Sequence, residues 1–394
     1  MVRFADRMDL LTGSEIRELL KLTSQPDIIS FAGGMPAPEL FPVEAMKEAA
    51  VKTLDEMGRV ALQYAATEGI PAFRQKIADR MKAKNNIDTD IDHILVTSGS
   101  QQGLDFSARV FLNKGDVVLL ESPSYLGAVN AFKACEPNFK EIPTDNNGMI
   151  MEELEKVLAS TENVKMIYVI PDFQNPSGRT WTLERREKFM EIINKYEIPV
   201  VEDNPYGELR FENENMPSLK SLDTKGLVIF LGTFSKILAP GYRLGWVCAE
   251  EKILEKYNFI KQSCDLQAST ISQLETNTYL EMYNLDEHVE KIKSVYRKRR
   301  DCMLKAMDEN FPKECTWTHP DGGLFTWVVL PEYMNAKELA SQCLAQKVAY
   351  VPGGGFFPNG GHENTFRMNY SCMPEEKIEE GIKRIGDVIK ANLR

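Results

Sequence analysis

Between residues 93 and 231 the chain alternates short apolar runs with amphipathic stretches, and this pattern most narrows what it can fold into. The runs are His93–Thr97, Val117–Leu120, Met166–Ile170, Pro199–Val201 and Val228–Leu231. Between them, helical periodicity covers residues 101–112, 124–134, 151–159 and 182–196. Buried strands alternating with helices of this length imply an α/β fold, a mostly parallel sheet with helices on both faces. After about residue 250 the character changes. Leu285, Val289, Ile292, Tyr296 and Met303 fall at helical spacing, which predicts a long helix over 285–310. Shorter strands are expected near 324–330, 348–351 and 365–370, then a last helix over 375–392, together a smaller α+β domain. Near the N-terminus, Ser14–Leu22 reads as a helix. The Gly/Pro-rich FAGGMPAPELFP that follows reads as an extended arm crossing the surface.

A chain of 394 residues has room for one large and one small domain. Its formal charge of -11 opposes a nucleic-acid surface and suits a soluble protein that stays off anionic membranes. Seven cysteines form no CxxC pair, and four histidines lie far apart with no HExxH. Neither a disulfide framework nor a metal site is expected, and reduced thiols in a cytoplasm are the simplest account. The first residues lack the apolar core of a signal peptide, and no window approaches a membrane span.

The chemistry gathers where apolar runs end, because ligands of open α/β sheets sit outside the carboxyl ends of the strands. Lys236 closes Gly-Thr233-Phe-Ser235-Lys236 after one run, and Asp203 and Tyr206 follow another. Asn175 stands in Pro-Asp-Phe-Gln-Asn-Pro-Ser-Gly after a third. Thr97-Ser-Gly-Ser100-Gln101-Gln-Gly opens a helix whose free N–H groups suit a phosphate. Singly, each has a plain alternative: a solvated lysine, an Asp that caps a helix, an Asn-Pro turn, an ordinary small-residue loop.

Taken together and in order, these motifs resemble the fold-type-I pyridoxal-phosphate (PLP) enzymes of the class I/II aminotransferase family, nearest the 2-aminoadipate and kynurenine aminotransferases. The likeness runs from the Ser14 helix through Ser30–Pro42 to Phe366-Arg367-Met-Asn-Tyr-Ser371. It implies a large domain with a mostly parallel seven-stranded sheet over 45–280. Residues 1–44 and 281–394 would make the helix, arm and small domain. It also implies the roles. Lys236 is the Schiff-base lysine and proton shuttle. Asp203 pairs with the pyridine nitrogen, Tyr206 and Asn175 bond the ring oxygen, and Tyr125 stacks on the ring. Ser100, Gln101, Thr233, Ser235 and Arg243 hold the phosphate. Tyr64 reaches the phosphate of a neighbouring subunit, which makes the expected assembly a homodimer with shared sites. Arg367 grips the substrate carboxylate beside Asn175 and Gly34, and Arg17 is placed on the distal carboxylate of an acidic substrate or, equally, in solvent. The implied reaction is ping-pong transfer of an amino group between an L-amino acid and a 2-oxo acid, with glutamate and 2-oxoglutarate as one pair. The other partner would be 2-aminoadipate, an aromatic or a branched-chain amino acid. A β-lyase or decarboxylase would share the same lysine. A PLP-sensing regulator would carry a winged-helix domain ahead of this fold, and is the remoter alternative.

Overall fold

The structure is a computed structural model and describes residues 2–10 and 27–394. The expected Ser14–Leu22 helix and its Arg17 lie outside the described residues. The main sheet follows the order Ile94–Thr97, Gly245–Cys248, Val228–Thr233, Val200–Asp203, Val164–Val169, Val117–Ser122, Asn138–Asp145, Gly148–Met149. Pairing is parallel from Val228–Thr233 through Asn138–Asp145, and antiparallel on both sides of Gly245–Cys248. Seven strands were expected; an eighth, only two residues long, is added at the edge. There Asn147 N–H bonds Asp145 Oδ1 at 2.8 Å and Gly148 takes φ +104°, so the chain turns back on itself.

The five expected strands are present with bounds that differ by up to two residues, and three of them extend past the apolar run, so that Asp203 and Thr233 lie inside strands. Helices Ser100–Phe111, Leu126–Lys133, Met151–Ser160 and Leu183–Tyr196 fill the gaps between them. One apolar layer sits on each face. Leu104, Phe106, Phe132 and Tyr257 belong to the first, Leu154, Trp181, Phe189 and Ile193 to the second. Burying each such side chain contributes about 1.5–3 kcal/mol, which outweighs the weak helix propensity of any one segment.

A second sheet of Thr316–Trp317, Phe325–Val329, Thr365–Asn369 and Val351–Pro352 is antiparallel. The long helix spans Leu285–Asn310 and the last one Glu375–Ala391. The expected strand over 348–351 divides in two, because Val348–Ala349 pairs instead with Ile29–Ser30. That pairing corrects the reading of the arm as a surface crossing. Phe31 and Ala32 are buried. Phe31 lies against Gly381 of the last helix, where an added Cβ would come within 2.7 Å of its ring. Among the described residues no helix is long and apolar enough to cross a membrane.

Candidate functional site

Strand direction gathers the four motifs. Ile94–Thr97 runs antiparallel to Gly245–Cys248, which itself runs antiparallel to Val228–Thr233. Two reversals leave Ile94–Thr97 pointing the same way as the parallel strands, so its carboxyl end opens on the same edge as theirs. A cavity of about 730 Å³ lies there, lined among others by Ser100, Gln101, Asn175, Asp203, Thr233 and Lys236.

At one end is a site for an anion. Ser100 begins a twelve-residue helix, and Gly99 before it has φ +78°. A Cβ on Gly99 would lie 2.7 Å from Arg243 Nη2, and one on Gly245 would lie 2.6 Å from the Ser100 nitrogen. Both glycines are therefore required for the guanidinium and the helix start to come together. Thr233 Oγ1 donates to Leu244 O at 3.1 Å, and Ser235 N–H to Thr233 Oγ1 at 3.1 Å, which ties the lysine loop to the Arg243 turn. Gln101 Nε2 donates to Gly127 O at 2.9 Å. Tyr125 lies across the start of the next helix, where a Cβ on Gly127 would meet its ring at 2.4 Å. Free helical N–H groups and a planar cation are suited to a phosphate.

Asp203, Lys236 and Tyr206 are titratable groups that also line the cavity. Asp203 is 2% exposed; its Oδ2 accepts from Tyr168 Oη at 3.0 Å and its Oδ1 has no partner. Burial raises its pKa to about 7, against the bond from Tyr168, which lowers it. Lys236 Nζ donates to Gly34 O at 2.8 Å. Burial depresses its pKa to about 8, with Arg367 and Arg243 adding to the effect. Tyr206 shares a 3.4 Å contact with Asn175 Nδ2, and burial pushes its phenol upward.

At the far end, Arg367 Nη1 donates to Asn175 Oδ1 at 2.8 Å and Nη2 to Ala32 O at 2.9 Å, while Nε has no partner. Neither acceptor is charged. The guanidinium lies 4.2 Å from the Phe325 ring centroid and 5.2 Å from that of Phe356. Burial lowers its pKa to about 10. A buried cation with neutral partners is prepared for a carboxylate brought by a ligand.

Of the residues named from sequence, Gly34, Ser100, Gln101, Tyr125, Asn175, Asp203, Tyr206, Thr233, Ser235, Lys236, Arg243 and Arg367 all line this cavity. Tyr64 does not. It is 77% exposed and borders a separate hollow of about 430 Å³ with Leu62, Gln267 and Thr270. Sequence reading missed Tyr168, Phe325, Phe356 and the Ala32 carbonyl. Tyr168 sat in an expected strand, and nothing local told its hydroxyl apart from a core tyrosine's.

The comparisons agree with this geometry. Residues 26–385 match the family model for aminotransferase class I and II. The chain is 46% identical to aromatic-amino-acid aminotransferase 1 of Thermococcus litoralis, over 99% of this chain and 95% of that protein. It is 42% identical to 2-aminoadipate transaminase of Thermus thermophilus, over 97% and 95%. The crystal structure of Pyrococcus horikoshii kynurenine aminotransferase, in complex with PMP, KYN and KYA, superimposes with a TM-score of 0.96 at 41% identity, covering 99% and 98% of the two chains. The chain belongs to the class I and II aminotransferase family and is a PLP-dependent transaminase.

Proposed function

We propose that the cavity binds PLP in one orientation and passes an amino group between an L-amino acid and a 2-oxo acid. The observation that carries this reading is the partnerless Oδ1 of buried Asp203, in a cavity that Ser100, Arg243 and Lys236 also line. An orphaned carboxylate oxygen in a dry site is costly unless a donor arrives, and a protonated pyridine nitrogen is such a donor. The residues fit the group. Ser100, Gln101, Thr233, Ser235 and Arg243 would hold the phosphate, Asp203 the ring nitrogen, Asn175 and Tyr206 the ring oxygen, and Tyr125 the ring face. When bound, PLP supplies an electron sink for the carbon that loses its proton.

The chain's own groups do the rest. Lys236, with its pKa depressed to about 8 by burial, would hold PLP through its amine. The same amine would be the local base for the proton at the substrate Cα. Arg367 orients the substrate carboxylate through a planar fork backed by Asn175, and so fixes which bond at Cα faces the ring. Phe325 and Phe356 keep water from the guanidinium and strengthen that contact.

Glutamate and 2-oxoglutarate are proposed as one pair. Met35, Leu126 and Phe356 contribute apolar surface to the described wall of the cavity, whose cations among the described residues are Lys236, Arg243 and Arg367. This supports an aromatic second partner, in keeping with the activity named for the Thermococcus relative. An acidic partner such as 2-aminoadipate would depend on Arg17. A homodimer is part of the proposal. Val43, Val51, Leu54 and Val60 of helix Val43–Ala61, with Leu62 and Tyr64 just beyond its end, are exposed apolar side chains that a second copy would cover. Following the pyridoxamine half-reaction with glutamate, 2-aminoadipate, kynurenine, phenylalanine, valine and alanine tests the assignment. Conversion by at least one donor is expected. Release of ammonia or CO₂ in place of conversion would favour the lyase or decarboxylase.

A further inference from the structure

We propose that Tyr168 is a positioning residue for amino transfer: its hydroxyl occupies one oxygen of Asp203 and leaves the other without a protein partner. The proposal rests on the reading that Asp203 meets the ring nitrogen. The register explains the contact. Tyr168 pairs with Val201 across two parallel strands, and Asp203 lies two residues beyond Val201, on the same face. Tyr168 is fully buried and its ring packs edge-on against Phe132, with centroids 5.5 Å apart at 78°. The phenol hydroxyl reaches Asp203 Oδ2 at 3.0 Å, and Oδ1 is left without a partner.

A buried carboxylate that accepts no bond is driven toward its protonated form, in which it can no longer hold a proton on a ring nitrogen. One charge-assisted bond from a neutral donor opposes this without adding a competing cation. The titratable groups around the pair are Tyr125, ahead of helix Leu126–Lys133, Glu121 of strand Val117–Ser122, and Tyr206. None of the three is a cation, so Tyr168 is the donor on which the ionised form depends. The same bond restrains the rotation of the carboxylate, so that Oδ1 stays the unpaired oxygen.

The test uses the full chain loaded with PLP in four forms: parent, Tyr168→Phe, Asp203→Asn and the double variant. Two quantities are read, the dissociation constant of PLP and the pH midpoint of the bound cofactor's absorbance. Tyr168→Phe keeps the ring packing and is expected to weaken PLP binding about tenfold, the effect of one bond to a charged group. The midpoint should move upward by about one unit, since a less firmly protonated ring nitrogen withdraws less from the group that titrates. The double variant should match Asp203→Asn, because Tyr168 acts only through that carboxylate. Parent-like binding and midpoint in Tyr168→Phe, with both moved in Asp203→Asn, would overturn the proposal and leave the Asp203 assignment standing. Parent-like behaviour of Asp203→Asn would overturn both. Additive losses in the double variant would mean that Tyr168 merely packs, and would also overturn it. If Tyr168→Phe does not fold, 3-fluorotyrosine placed at 168 alone keeps the shape and strengthens the donor. It should move the midpoint downward, and no movement would overturn the proposal.

Discussion

Two buried arginines serve this molecule in opposite ways. Arg186 donates from Nε to Trp181 O at 3.2 Å and from Nη1 to Asp172 Oδ2 and Pro217 O at 3.2 and 3.0 Å. Its Nη2 bonds Asp172 Oδ1 and Pro171 O at 2.7 and 3.1 Å. A guanidinium has five N–H groups, so Arg186 is saturated. Arg210 adds a second contact to Asp172 Oδ1 at 2.9 Å. The cluster clamps both ends of the loop 171–181 that presents Asn175. Arg367 makes two bonds, both to neutral acceptors, and its Nε has none. Arg186 is saturated by the fold, whereas Arg367 keeps a partnerless Nε in the lining of a cavity that a ligand can enter.

The largest effect should come from breaking the saturated side. Arg186→Met strips Asp172 of its bidentate partner and takes a donor from three carbonyls, of which Pro171 O still accepts from the Trp181 N–H. About 3–5 kcal/mol of stability should be lost in denaturant unfolding, and a loss below 1 kcal/mol would erase the contrast. Arg367→Met should do the reverse. The melting temperature of the cofactor-free chain should hold or rise, because a buried, underbonded cation is gone, while kcat/KM for amino acids falls about 100-fold, the worth of a bidentate carboxylate contact. A variant that melts early with an intact kcat/KM would place Arg367 beside Arg186.

A smaller effect appears in pH dependence. Burial lowers the Lys236 pKa from 10.5 to about 8, so the charged form penalises the folded cofactor-free protein. That penalty is full below pH 8 and fades as pH rises from 8 toward 10.5. Lys236→Met should therefore be more stable than the parent at pH 7, and the gap should close in alkali. Asp203 has the opposite sign, with its pKa raised from 3.8 to about 7. Asp203→Asn should match the parent near pH 3.8 and gain on it up to pH 7. Unfolding curves across pH check both, and a constant gap would mean that these groups are not underbonded in solution. The smallest effect concerns the hollow outside the cavity. Tyr64→Phe should weaken cofactor binding by less than about tenfold, since in the proposed dimer one phosphate contact among several would be lost. An unchanged dissociation constant would remove Tyr64 from the shared site.

The sequence made the unsaturated side legible and hid the saturated one. Lys236, Asp203, Asn175 and Ser100 each follow an apolar run directly, and parallel strands deliver such positions to one edge, so order along the chain became proximity. The antiparallel Gly245–Cys248 strand was not foreseen, yet it sets the direction of Ile94–Thr97. Strand Asn138–Asp145 has only Ile142 fully buried, so it shows no apolar run. The Asp172, Arg186 and Arg210 cluster could not be read either, because its charges lie on a loop, a helix and a distant turn, and a charged residue gives no local sign of burial. For the same reason the rings of Phe325 and Phe356 could not be placed on Arg367 from patterning alone. The arm was misjudged because glycine and proline signal turns, whereas Phe31 owes its burial to space left at Gly381, 350 residues away.

The most direct test of the central claim is an absorbance scan of the purified chain after PLP is added, then after an amino donor, beside Lys236→Ala. The account predicts a lysine-bound chromophore in the parent that converts to the pyridoxamine form with a donor. In Lys236→Ala that band should be missing and turnover should fall at least about 10⁴-fold. A parent that never binds the cofactor, or a Lys236→Ala variant that gives the same band and turns over like the parent, would contradict it.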